Sequence, residues 1–302
     1  MAAAILFITA CGSPGYDATN TTANSILIFG AVDQVNTSLS TQSCTAALAQ
    51  IQPLYDSINT NNQIRLATAA SYGCAAKVNI FQMLSDLSKA SDLGGSGLWK
   101  YLVTEFPSVS SPDDKIPTAA GLGTDAAMSA VRPGTLFVPA VEVNASSKNP
   151  GSLIYTDRVG DANSYITFLS MSLMGSLLYR NGVPDATTHV KTVPLPWITA
   201  ATTVGDGCAF ASGLLNFFDG LGSITSSSPS SVRGAYQTIT SYLLSGVDTA
   251  CALGCAVVCA GASSCTTCPA TLRSRASCTG LTTDVNSCAA AGLAKFVNSS
   301  WI

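Results

Sequence analysis

Apolar side chains recur at helical spacing along most of this chain. Between Thr22 and Leu39 the stripe Ile28, Val32, Val35 and Leu39 steps by four, three and four, which predicts an amphipathic helix. Leu48, Ile51, Tyr55 and Ile58 form a second stripe over 43–58, with Pro53 inside it predicted to kink the helix. Asn59 to Asn62 reads as a polar turn. Ile64, Ala67, Cys74, Val78 and Phe81 then share one face of a long third helix predicted to reach Lys89. The pattern loosens over 94–111, and 107–117 reads as a plain loop. Thr135 to Val143 has short strand character, with Pro139 confining it to an edge or an isolated extended piece. A strong helix follows over 163–180, capped by the stretch from Asp157 and stopped by Asn181, Gly182 and Pro184. Beyond the Pro-rich loop from Val193 to Trp197, helices are predicted over 206–221, 231–259 and 282–297.

These elements imply an all-α fold of antiparallel helical hairpins joined by long irregular loops. Residues 22–302 read as a single mostly helical domain with a soft boundary near 105–155. In outline the stacked hairpins resemble tetratricopeptide-like architecture. The 34-residue period and the Trp, Leu-Gly, Tyr signature of that class are missing, so the resemblance stops at the general class. One pair of side chains sharpens the picture. Cys44 and Cys74 lie at nearly equal distances on either side of a turn near residue 60. Antiparallel helices rise equally per residue, so the two thiols fall level and are predicted to bridge, stapling the hairpin.

Composition then bounds the setting. Charged residues make up 10% of the chain, against about 25% in ordinary soluble domains. Only two are glutamates, Glu105 and Glu142, and Ser, Thr, Asn and Gly carry the polar surface instead. A net charge of −3 with scattered Lys and Arg argues against nucleic acid as a partner. Ala162 to Tyr179 is uncharged for 18 residues, yet its Asn163, four serines and Thr167 suit a buried helix better than a membrane span.

The N-terminal residues point outward from the cytosol. Met1 to Ala10 is an apolar or small run that ends at Cys11 and a Gly-Ser-Pro-Gly segment. Ile8-Thr9-Ala10-Cys11 resembles the lipobox of bacterial lipoproteins, the aliphatic, small, small, Cys pattern read by the lipoprotein signal peptidase. The resemblance implies that residues 1–10 are a signal remnant, that Cys11 is lipidated, and that 11–21 form a flexible tether. No Lys or Arg precedes the run, which departs from a full signal and places the expected start further upstream. Gly12 is not the Asp that resembles an inner-membrane retention signal, so the resemblance implies an outer-membrane anchor facing the periplasm. The ten cysteines besides Cys11 agree with export: Cys44, Cys74, Cys208, Cys251, Cys255, Cys259, Cys265, Cys268, Cys278 and Cys288 form an even set suited to disulfides in an oxidising compartment.

Candidate chemistry is sparse. The spacing of Cys251, Cys255, Cys259, Cys265 and Cys268 matches neither a ferredoxin run nor a zinc pair, and Cys268 is followed by Pro269 where haem attachment needs His. Structural disulfides are the expected use, and no cofactor or metal is expected. The one histidine, His189, lies in a loop and reads as an ordinary polar residue. Asp56 follows an aromatic at a helix end and is placed to pair with Arg65. Asp157 and Asp161, four apart at a helix start, are explained by capping and by the helix dipole. They are also the pair that a rival reading, a periplasmic hydrolase, would use. A pore or secretion-system component is the third reading. The expected role is a non-catalytic helical scaffold or binding module for a protein, peptide or small envelope ligand, anchored to the membrane at Cys11. Trp99, Tyr101 and Trp197, apolar residues in irregular segments, are the expected contact residues, with core burial as the competing use.

Overall fold

The computed structural model describes residues 21–58, 61–79, 82, 83, 85, 86, 93, 95–109, 114–131, 159–197, 206, 207, 209, 210, 213, 214, 216, 217, 220, 238, 239 and 296–302. The protein is all-α over these residues. Its helices are α1 (Thr21–Ser40), α2 (Cys44–Ser57), α3 (Asn62–Ala75), α4 (Ser96–Glu105), α5 (Ile116–Val131) and α6 (Val159–Gly182). Residues between 206 and 220, and 296–300, add further helical turns. An isolated antiparallel bridge, Pro184 to Lys191, is the extended pairing among the described residues.

The sequence stripes α1 to α3 pack as expected. Ile28 and Val35 of α1, Ala47, Ile51 and Ile58 of α2, and Ile64 and Ala67 of α3 bury into one cluster. Val32, Leu39 and Leu54 flank it. Pro53 sits inside α2 without ending it and is exposed. Asn61 starts α3 by accepting the backbone N–H groups of Gln63 and Ile64 at 2.9 and 3.2 Å, which satisfies donors that a helix start leaves open. Cys44 and Cys74 are joined in a disulfide, with Cα atoms 5.4 Å apart.

The opposite side of α3, through Leu66 and Ala69, enters a second and larger cluster shared with α4, α5, α6 and the residues from 195 on. Helix α5 packs on α3 and α6, and α4 packs on α6. Close approach is made possible by small residues. A Cβ on Gly175 of α6 would lie 2.5 Å from the Leu102 carbonyl oxygen of α4, and one on Gly123 of α5 would lie 2.9 Å from Tyr72 Cβ. The uncharged stretch within α6 is a buried helix, as its serines implied. Ser176 donates to the Ser172 carbonyl at 2.7 Å, Thr167 to that of Asn163 at 2.8 Å, and Ser172 reaches the Ala76 carbonyl at 3.2 Å. Hydroxyls satisfied in this way can be buried at little cost. No described helix is long and apolar enough to cross a membrane.

Three expectations are corrected. The third helix stops at Ala75 rather than near Lys89, because Lys77 adopts φ +57° and turns the chain. Asn79 then opens a new helical stretch by accepting the Gln82 N–H at 3.1 Å. The segments read as loose and as loop, 94–111 and 107–117, contain α4 and the start of α5. Asp114 starts α5 by accepting the Ile116 N–H at 3.0 Å, with Pro117 in the first turn where a missing N–H costs nothing. Finally, Arg65 does not pair with Asp56. Its guanidinium donates to Asn62 at 2.9 Å, while Asp56 accepts from Gln52 at 2.8 Å. The strand reading at 135–143 and the helices expected over 231–259 lie outside the described residues, apart from 238 and 239, as does most of the one expected over 282–297.

Candidate functional site

Two places in the fold gather the side chains that the sequence brought forward. The first is built around tryptophan. Trp99 lies in the second turn of α4, and its indole stands edge-on to Phe296 at 5.9 Å and tilted to Phe210 at 6.4 Å. Trp197 meets the other side of Phe210, centroids 4.9 Å apart. Both indoles are essentially sealed, at 1% and 0% exposure. The expectation that Trp99 and Trp197 contact a ligand is therefore corrected: they are core residues, held by aromatic partners more than 90 positions away along the chain or by Phe210 between them. Tyr101 is half-buried, and its hydroxyl donates to the Met83 carbonyl at 3.3 Å.

The residue that closes this cluster was not among the expected contact residues. Trp301 is fully buried. Its indole N–H donates to the His189 carbonyl at 2.9 Å, and its own carbonyl accepts from the Lys191 ammonium. Ser300 accepts the Trp99 N–H at 2.8 Å, Asn298 accepts the Leu195 N–H at 2.9 Å, and Ser96 donates to the Ile302 carbonyl. Residues 296–302 thus clasp the start of α4 to the loop after α6. The signal that was available is the i, i+4 pair Val297 and Trp301, an apolar couple at helical spacing.

The loop held by the clasp is tightly turned. Asp185 accepts hydrogen bonds from the Thr188 N–H at 2.7 Å, the Thr188 hydroxyl at 2.9 Å and the Thr187 N–H at 3.0 Å. The two Thr188 bonds, first the backbone one, hold its carboxyl below the usual aspartate range. Burial pulls the Lys191 ammonium below its usual value. His189 serves here through its backbone, donating to the Asp185 carbonyl at 2.9 Å. Nearby, Arg180 pairs with Asp206 at 2.6 Å and Asn181 bonds the second oxygen of that carboxylate at 3.0 Å. The carboxylates of Asp56, Asp114, Asp185 and Asp206 are thus each engaged in holding backbone or neighbouring side chains. No group of three His, Cys, Asp or Glu residues among the described ones could hold a metal ion.

The second place is the outer face of α1. Asn24, Ile28 and Val35 turn inward, while Ile26 and Phe29 stand 70% and 62% exposed. Cys11, Cys208, Cys251, Cys255, Cys259, Cys265, Cys268, Cys278, Cys288 and Asp157 lie outside the described residues, as does the side chain of Asp161. No protein-family model matches the chain, and no curated protein or solved structure matches it.

Proposed function

We propose that this chain is a bacterial envelope lipoprotein, acylated at Cys11 and held at the outer membrane facing the periplasm. Its helical domain acts there as a non-catalytic scaffold or binding module for a protein, peptide or small envelope ligand. The observation that carries this reading is the four-residue run Ile8-Thr9-Ala10-Cys11, placed at the end of an apolar stretch and ahead of a Gly-Ser-Pro-Gly segment.

Independent features support it. A disulfide between Cys44 and Cys74 persists in an oxidising compartment and is rare in the cytosol. The scarcity of charge leaves hydroxyl and amide groups to supply the surface, and the carboxylates of Asp114, Asp185 and Asp206 brace the fold. A scaffold needs such braced elements, because a binding surface keeps its shape only when the elements beneath it are rigid.

Incorporation of radiolabelled palmitate tests the reading. The chain is expected to take up label, to accumulate as a larger precursor under globomycin, and to lose both properties in Cys11→Ser. Label that survives this substitution overturns the assignment.

A further inference from the structure

We infer that the N-terminal half of the outer face of α1 lies against the lipid surface that carries the anchor, with Ile26 and Phe29 inserted at the boundary of headgroups and acyl chains. This rests on acylation at Cys11. The face changes character along the helix. Ile26, Phe29 and Gly30 are exposed in its first half, and Asp33, Gln34, Asn36, Thr37 and Ser40 are exposed beyond them. Residues 21–32 carry no charge at all. A helix of 20 residues is about 30 Å long, so the polar half projects away while the apolar turns stay near the anchor.

Geometry brings that end to the membrane. Nine residues, 12–20, lie between Cys11 and Thr21, and the ten residue steps from one to the other span at most about 36 Å. Its Gly-Ser-Pro-Gly portion cannot carry the helix far from an acylated cysteine. The space over Gly30 is open, with no atom of the described residues within 4 Å of a built Cβ. A second copy of the chain is a poorer occupant. Two large apolar side chains fall well short of the roughly 800 Å² per partner that stable association requires, whereas side chains already tethered beside a lipid surface need only add to the affinity that the acyl anchor supplies.

The three native tryptophans are buried to 1% exposure or less, so lipid-borne quenchers do not reach them. The full-length lipidated chain bearing Phe29→Trp is reconstituted into vesicles of phosphatidylcholine with brominated or unbrominated acyl chains. Asn36→Trp serves as the comparison further along the same face. The added emission of Phe29→Trp is expected to shift to the blue and to be lost in brominated vesicles, while that of Asn36→Trp is unchanged between the two. Equal emission of Phe29→Trp in both vesicles overturns the inference, as does a blue shift that follows protein concentration rather than lipid. A Cys11→Ser chain with a hexahistidine tag ahead of Gly12, bound to nickel-chelating vesicles, separates the two claims. Quenching there without palmitate labelling of the unsubstituted chain removes the anchor and keeps the surface. Palmitate labelling without quenching removes the surface alone.

Discussion

The indole N–H of Trp99 donates to the hydroxyl of Ser300 across 201 positions of sequence, at 2.8 Å. That bond and the burial of Trp301 make residues 296–302 part of the central core rather than an appendage. Trp301→Ala removes a fully buried indole and is expected to lower stability by about 3–5 kcal/mol. Trp301→Phe keeps most of the packing and forfeits the bond to the His189 carbonyl, an expected loss nearer 1 kcal/mol. Urea denaturation followed by circular dichroism separates the two, and equal losses would remove the role given to the His189 bond.

The disulfide closes a loop of 30 residues that contains the whole α2–α3 turn. Constraining the unfolded chain in this way is worth about 2–4 kcal/mol. Denaturation midpoints with and without reductant are expected to differ accordingly, and Cys44→Ser with Cys74→Ser is expected to abolish the difference at this site. Peptide mapping of oxidised protein should recover the two cysteines in one cross-linked fragment.

Val183 ends α6 at φ +43°, a conformation that a β-branched residue adopts only under strain. Glycine ordinarily fills such a position, yet here Gly182 falls one residue too early, where the Trp301 ring leaves no room for a Cβ. Left-handed backbone costs an L-residue about 1–2 kcal/mol, offset in glycine by the entropy of its unfolded state. Val183→Gly is therefore expected to raise the melting temperature by a few degrees, corresponding to a net gain of up to about 1 kcal/mol. No rise would mean that the surrounding hydrogen bonds already absorb the strain.

Asp185 gives the fold a sensitivity to acid. Its folded carboxyl titrates below the ordinary aspartate value because Thr188 and Thr187 donate to it. A depressed folded value means that the turn contributes stability above the unfolded value of about 3.9. That contribution is lost as pH falls through the folded value. Asp185→Asn is expected to lessen the acid dependence of stability, and NMR titration of the side-chain carboxyl carbon should show a midpoint below that of a free aspartate. A midpoint at or above the free value would dismiss the turn as its cause.

The legible parts of this fold were those with a one-sided stripe of large apolar residues. Helices α1 to α3 repeat at helical spacing, and their register alone brought Cys44 level with Cys74. Helix α5 escaped notice because it buries Ala119, Ala120, Ala126 and Ala127 rather than a row of large side chains. Helix α4 begins at Gly95 with no side-chain cap, so nothing local marks its start. The third helix was overextended because the positive φ of Lys77 leaves no trace in hydropathy. Trp99 and Trp197 looked like contact residues for a related reason. Whether an aromatic in an irregular segment is buried depends on partners such as Phe296 and Phe210, which local pattern cannot supply.

The clasp also bears on when the protein can fold. Ser96 and Ile302 meet across 206 positions, and closing a loop of that length must precede the contacts that reward it. Without Trp301 and Ser300 the bonds to the His189 carbonyl and the Trp99 indole cannot form. The central core is therefore expected to lock only once residues 296–302 are available to it, whatever pairing α1 to α3 have already reached.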